Sequence, residues 1–182
     1  MIRVHNSLFT VDSSMVKRMK KAILFLIIIF CSGTAFCQYD TTPPYLKTKL
    51  LPGFNLLSLD STVFDQSVLT ENNNTIIMLF NPECEHCQDQ LKLMLTIPEL
   101  VNGTNVILAS TETLQKIKIF YNKFHLENYP LIHIGKDHKY FFGGFYQPKT
   151  IPVLAFYNKQ KQLVYFNQGN VKKKQIQDAL KN

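Results

Sequence analysis

An apolar run, Thr75-Ile76-Ile77-Met78-Leu79-Phe80, passes through Asn81-Pro82-Glu83 into Cys84-Glu85-His86-Cys87. The β-branched and apolar run, stopped by an Asn-Pro turn, predicts a buried strand. Leu91 and Met94 lie four and seven residues after Cys87 and continue an apolar helical stripe from it. A strand must therefore end and a helix begin within a few residues, with both cysteines on the first helical turn. At i and i+3 the two sulfurs lie close enough to bridge. The free N–H groups and positive dipole end of the helix stabilise a thiolate there. This spacing predicts a redox-active dithiol.

The other two cysteines, Cys31 and Cys37, belong to a different kind of segment. Lys17-Arg18-Met19-Lys20-Lys21 precedes an apolar stretch from Ala22 to Phe30, and Ala35 and Cys37 stand at −3 and −1 of a cut before Gln38. Together these read as a secretory signal peptide. An uncleaved anchor over residues 20–30, facing the periplasm, is the alternative, although the apolar stretch is short against the ~20 residues of a spanning helix. Phe36 before Cys37 and Phe30 before Cys31 are not the small residues of a lipoprotein site. Residues 1–14 show no periodicity, and translation from Met15 or Met19 leaves a conventional signal. The predicted organisation is a signal peptide over 1–37, a tether over 38–52 containing Pro43-Pro44, and one domain over 53–182.

Without the first 37 residues, only Cys84 and Cys87 remain, fewer than a disulfide framework needs. The pair reads as reactive, with an inert disulfide as one alternative. A zinc or copper site is another, but C-x-x-C needs further ligands, and His125, His133 and His138 fall on other predicted elements. No metal and no other cofactor is expected. The formal charge of +7 divides into +4 before residue 38 and +3 after it, where 15 lysines face 12 acids without a single arginine. Lacking the residue best suited to phosphate forks, the domain is not expected to bind nucleic acid. Lys172-Lys173-Lys174 reads as a solvated face.

Further strands are predicted at 54–59, 63–64, 105–109, 131–134, 153–157 and 163–166. The helix from Cys84 is expected to end near Thr96, stopped or kinked by Pro98. Ser110 is read as the N-cap of a helix bearing Leu114, Ile117, Phe120, Tyr121 and Phe124. Asp137 is read as the cap of a short helix closed at Gly143-Gly144, and Asn170 as the cap of a last helix with Ile176, Ala179 and Leu180 inward. Strands alternating with helices, then a hairpin and a terminal helix, predict an α/β fold: a mixed sheet flanked by helices.

Within the site, Cys84 at the helix start is expected to be accessible and to act as nucleophile, with Cys87, one turn in, as the shielded resolving thiol. Glu83, Glu85 and His86 are the residues expected to tune the thiol. A solvated carboxylate ~6 Å away contributes about 0.7 kcal/mol, so one histidine and two acids roughly offset each other. Pro152 opens a regular strand. It is either an ordinary strand-start proline or, with Ile151, a cis bond. A cis bond is expected to turn backbone groups of Thr150 and Ile151 toward an extended substrate.

Phe80 followed by Glu83-Cys84-Glu85-His86-Cys87, with Ile151-Pro152 before a strand and a strand, strand, helix tail around Gly169, resembles the TlpA-like or ResA-like branch of the thioredoxin superfamily. The likeness covers residues 52–181. It implies a thioredoxin-like mixed β-sheet with an N-terminal β extension and a βα insertion before the Ile-Pro strand. It also implies a periplasmic or membrane-tethered thiol–disulfide oxidoreductase on the reducing side, with a cis-proline facing the cysteines. The partners implied are protein thiols or disulfides and a membrane-side electron donor or acceptor, and a monomer is expected. Three positions depart from the pattern. Asn81-Pro82-Glu83 replaces the usual aromatic-and-small run, Gln90 stands where many relatives carry a buried glutamate, and Met78 where plain thioredoxins carry a buried aspartate. Glu85, His86 or water is then left to deprotonate Cys87. The P-x-x-x-[TS]-x-x-C run of peroxiredoxins has no match. Two other readings stand beside the enzyme: a copper-binding module that adds His133 or His138 near Pro152, and a non-enzymatic interaction domain.

Overall fold

The structure is a computed structural model, and it describes residues 12–31 and 40–181. The cleavage position before Gln38 and the segment before Asp12 lie outside the described residues. The chain divides into two units, the first ending at Thr41. In the first, α1 (Ser13–Cys31) joins the basic run and the apolar stretch in one helix. No helix among the described residues is long and apolar enough to cross a membrane.

The second unit begins at Thr42 with α2 (Pro44–Thr48). It continues through β1 (Leu56–Leu57), β2 (Val63–Phe64), β3 (Asn74–Leu79), α3 (Glu85–Leu95), α4 (Pro98–Gly103) and β4 (Thr104–Ser110). Then come α5 (Leu114–Lys123), β5 (Ile132–Lys136), α6 (Phe141–Tyr146), β6 (Val153–Tyr157), β7 (Leu163–Gln168) and α7 (Lys173–Leu180). Seven strands form one sheet in the order β2-β1-β5-β4-β3-β6-β7. β3, β4 and β5 run parallel, while β1 and β6 pair antiparallel to them at either side. The β1–β2 hairpin is the N-terminal extension, and β5 with α6 is the element inserted before the Ile-Pro strand.

Alternation along the central strands sorts their side chains onto two cores. Ile76, Met78, Val106, Leu108, Leu154 and Phe156 face one way, where Leu91 and Met94 of α3, Ile117 and Phe120 of α5 and Ile176 of α7 cover them. Ile77, Leu79, Ile107, Ala109, Val153 and Ala155 face the other, under Tyr45 of α2 and Phe142 and Tyr146 of α6. Each fully buried Ile, Leu or Phe contributes about 1.5–3 kcal/mol, so both faces of the sheet are committed. Gly135 is required by close approach: a Cβ there would lie 2.7 Å from the Phe64 ring and 2.8 Å from the Leu57 carbonyl.

Several boundaries differ from expectation for identifiable reasons. Residues 42–52, expected as a tether, pack on the domain. Tyr45 is buried and stacks on Phe166 at 4.2 Å, and the Leu51 N–H donates to Lys161 O. Pro98 stops α3 but also opens α4, a position where its missing N–H costs nothing. Ser110 belongs to buried β4, and Thr113 caps α5 instead, accepting from the Lys116 N–H. Lys172 rather than Asn170 precedes α7, its N–H held by the Gln175 side chain at 3.0 Å. Gly143 and Gly144 lie inside α6, which is closed after Tyr146 by Gln147 in the left-handed region.

Candidate active site

The end of β3 fixes the cysteine loop. Phe80 N–H donates to Ala109 O at 3.1 Å, carrying the chain one residue past the strand, and Phe80 packs on Phe120 at 4.6 Å. Asn81 then organises the turn. Its carbonyl accepts the Cys84 N–H at 3.1 Å, its Oδ1 accepts the Glu83 N–H at 2.8 Å, and its Nδ2 donates to Glu112 at 2.9 Å. Gln88 closes the loop from the helix side by donating to Pro82 O at 2.8 Å. Sequence reasoning missed Asn81, Gln88 and Glu112. The Asn-Pro dipeptide was the available signal, since Asn side chains hydrogen-bond the backbone two residues on.

Cys84 is the N-cap of α3, and its sulfur accepts the Cys87 N–H at 3.4 Å. Both cysteines are free thiols. Cys84 is partly exposed, whereas Cys87 is fully buried within the core that also holds Leu91 and Met94. Burial pushes the Cys87 thiol up to about 12, with further upward contributions from the Cys84 hydrogen bond and charge, opposed only by the Asn81 backbone N–H. Of the three residues expected to tune Cys84, Glu83 is held by Lys116 at 2.8 Å, and Lys116 also reaches Glu112 at 3.3 Å. Glu85 and His86 are exposed on the first turn of α3.

The Ile151–Pro152 bond is cis. Leu79 pairs with Val153, so the register places Pro152 beside Phe80, at the same end of the sheet as the cysteine loop. Ile151 and Cys84 pack against the same core. One of the backbone groups expected to face a substrate is already engaged, and so is the proline carbonyl. Thr150 N–H donates to Gln168 Oε1 at 3.3 Å, and Pro152 O accepts from Gly169 N–H at 2.7 Å.

Gln90 and Met78 are both buried behind the site. Gln90 Oε1 accepts the Val171 N–H at 2.6 Å, tying α3 to the start of α7, while its Nε2 is buried with no partner. His133 lies elsewhere, lining a groove of about 420 Å3 with Tyr121 and Asp60, and burial lowers its pKa. His125 is exposed beside Glu127. Among the described residues no three His, Cys, Asp or Glu side chains group to hold a metal ion.

No protein-family model matches the chain, and no curated protein sequence matches it. Solved structures do. A secreted Mycobacterium tuberculosis disulfide oxidoreductase homologous to E. coli DsbE superposes with a TM-score of 0.58 at 14% identity, over 70% of this chain and 94% of that one. StoA from Bacillus subtilis gives 0.54 at 14% identity, over 72% and 98%. The exposed lipoprotein thioredoxin Etrx1 of Streptococcus pneumoniae gives 0.55 at 19% identity, over 71% and 98%. By its architecture, therefore, this chain is a thioredoxin-fold protein.

Proposed function

We propose that the protein is an extracytoplasmic thiol–disulfide oxidoreductase that reduces disulfides in partner proteins. The observation that carries this reading is the pairing of a partly exposed Cys84 with a buried Cys87 at one helix start, where the Cys87 backbone N–H donates to Cys84 Sγ at 3.4 Å. The Cys84 thiolate attacks one sulfur of the substrate disulfide, forming a mixed disulfide and releasing the first substrate thiolate. Cys87 gives up its proton and attacks Cys84 Sγ, forming the Cys84–Cys87 disulfide and releasing the second thiolate. Two electrons pass to the substrate, and its two thiolates take up two protons. A membrane-side dithiol donor restores the pair by the reverse sequence. Ile151, preceding the cis-proline, supplies the backbone edge beside the cysteines. Glu83, Glu85 and His86 set the charge around Cys84, Glu83 in balance with Lys116. The basic-then-apolar order of α1 supports export.

Reduction of insulin disulfides tests the assignment. Wild type is expected to turn insulin over with dithiothreitol as electron source, and Cys84→Ser is expected to abolish turnover. Cys87→Ser is expected to accumulate a Cys84-linked adduct visible on non-reducing gels. Full activity in Cys84→Ser, or an inactive wild type, would overturn the reading.

A further inference from the structure

Gly143 and Gly144 sit inside α6, where neither backbone nor packing calls for glycine. Neither has a positive φ, and a Cβ built on either meets no heavy atom within 4 Å. A glycine in a helix interior costs about 1 kcal/mol against alanine. What Gly143 leaves is space: it faces a cleft of about 180 Å3. Its apolar walls include Phe80 and Ala109 from the strand ends, Phe142 and Gly143 from α6, and Pro148 and Ile151 from the loop before β6.

The charged groups along these walls already have partners. The Asp137 carboxylate takes the Phe141 and Phe142 N–H groups, both at 2.9 Å, and Glu112 is held between Asn81 and Lys116. The cleft thus offers apolar surface without an unpaired charge. It also adjoins the dithiol loop, because Asn81 lines it while its carbonyl accepts the Cys84 N–H at 3.1 Å, and Ile151 lines it just before the cis-proline. An apolar cavity of about 150 Å3 holds a benzene ring, whereas drug-sized ligands occupy pockets of roughly 300–1,000 Å3. The space suits one aromatic side chain.

We propose that this cleft receives an aromatic side chain flanking the substrate cysteine, and that Gly143 is a specificity-determining residue because it keeps the cleft open. The proposal rests on the dithiol reading above. Gly143 lines the cleft, so a leucine there adds its side chain at the cleft wall. One at 144, on the same helix, does not line it.

The test measures single-turnover reduction, by the full-length chain, of two cystine peptides that differ only in carrying Phe or Ser on both sides of each cysteine. Hydroxyethyl disulfide reports the dithiol chemistry separately. Wild type is expected to reduce the Phe peptide at least about tenfold faster, as burial of one aromatic side chain predicts. Gly143→Leu is expected to bring the two rates within about twofold, and Gly144→Leu to keep the wild-type ratio. Equal rates on the two peptides, with hydroxyethyl disulfide still reduced, overturn the cleft proposal alone. Reduction of none of the three substrates overturns the dithiol reading and this proposal with it. A Gly143→Leu protein that retains the preference also refutes it. The wild-type ratio decides the matter even where Gly143→Leu fails to fold, with Gly143→Ala as the smaller obstruction.

Discussion

Cys87 has no solvent exposure, and its thiol is pushed up to about 12, first by burial and then by the Cys84 hydrogen bond and charge. At pH 7 a group titrating near 12 is ionised in on the order of one molecule in 10^5. In the reaction proposed above, bonding of Cys84 to substrate removes its charge from beside Cys87, but burial remains. On that mechanism, release of the second substrate thiol depends on a nearby proton acceptor, and the two positions behind the site hold Gln90 and Met78. Gln90→Glu is suited to supply one. A glutamate oxygen can keep the Val171 N–H bond while the unpartnered Nε2 disappears. A buried carboxyl has a raised pKa, which brings it toward neutrality, where a general base works best. Gln90→Glu is expected to speed release of the second thiol about tenfold or more at pH 7, short of the roughly hundredfold at which general-base effects typically begin. Single-turnover thiol release measured across pH 6–9 checks this. An unchanged rate means that the proton leaves by Glu85, His86 or water.

Among the elements, α6 shows how much depends on one side chain. Tyr140 precedes it in the left-handed region without capping it through its side chain, so Asp137 alone, with its two oxygens, is seen to serve the first N–H groups, Phe141 and Phe142. Asp137→Ala leaves both donors without that partner, and the Phe142 bond is buried. The expected loss is about 2 kcal/mol in urea unfolding, with the cleft lining loosened as well. Asp137→Asn keeps one acceptor oxygen and is expected to lose about half as much. Asp137 was legible in the sequence as a cap, and β6 was legible to the residue, because a five-residue apolar run between Pro152 and Asn158 allows little else. The Cys87–Leu91–Met94 stripe was equally plain. Other boundaries were not. Ser110 and Thr113 both suit an N-cap, and only the pairing of β4 through Ser110 with Lys136 decides between them. Gly143-Gly144 reads as a helix end by composition, and its place inside α6 follows from tertiary contacts that no local pattern encodes. Around the cysteines, the sequence carried the sulfur asymmetry but not the Asn81–Glu112–Lys116–Glu83 chain, whose members come from two loops and a helix.

At the scale of the whole molecule, the double-faced sheet buries acids that stay neutral in the fold. Tyr146 and Tyr157 share a hydrogen bond of 2.7 Å in the core under α6. Burial raises Tyr157 to about 12 and Tyr146 well above the usual phenol range, as it raises Cys87 on the opposite face. Unfolded, these groups lose protons from about pH 9 for the thiol and 10 for the phenols. Over that window the unfolded chain binds fewer protons than the folded one, so unfolding free energy falls as pH rises. Their contribution is fully present below about pH 9 and is lost on the way to about 12. Urea unfolding of the reduced protein at intervals from pH 7 to 11 is expected to show a flat region and then a decline. Cys87→Ala should remove the part that begins near 9, and Tyr157→Phe part of what begins near 10. A decline that starts at the same pH with the same slope in Cys87→Ala would mean that the thiol is not held neutral by the fold, and the asymmetry assigned to the two sulfurs would lose its physical basis.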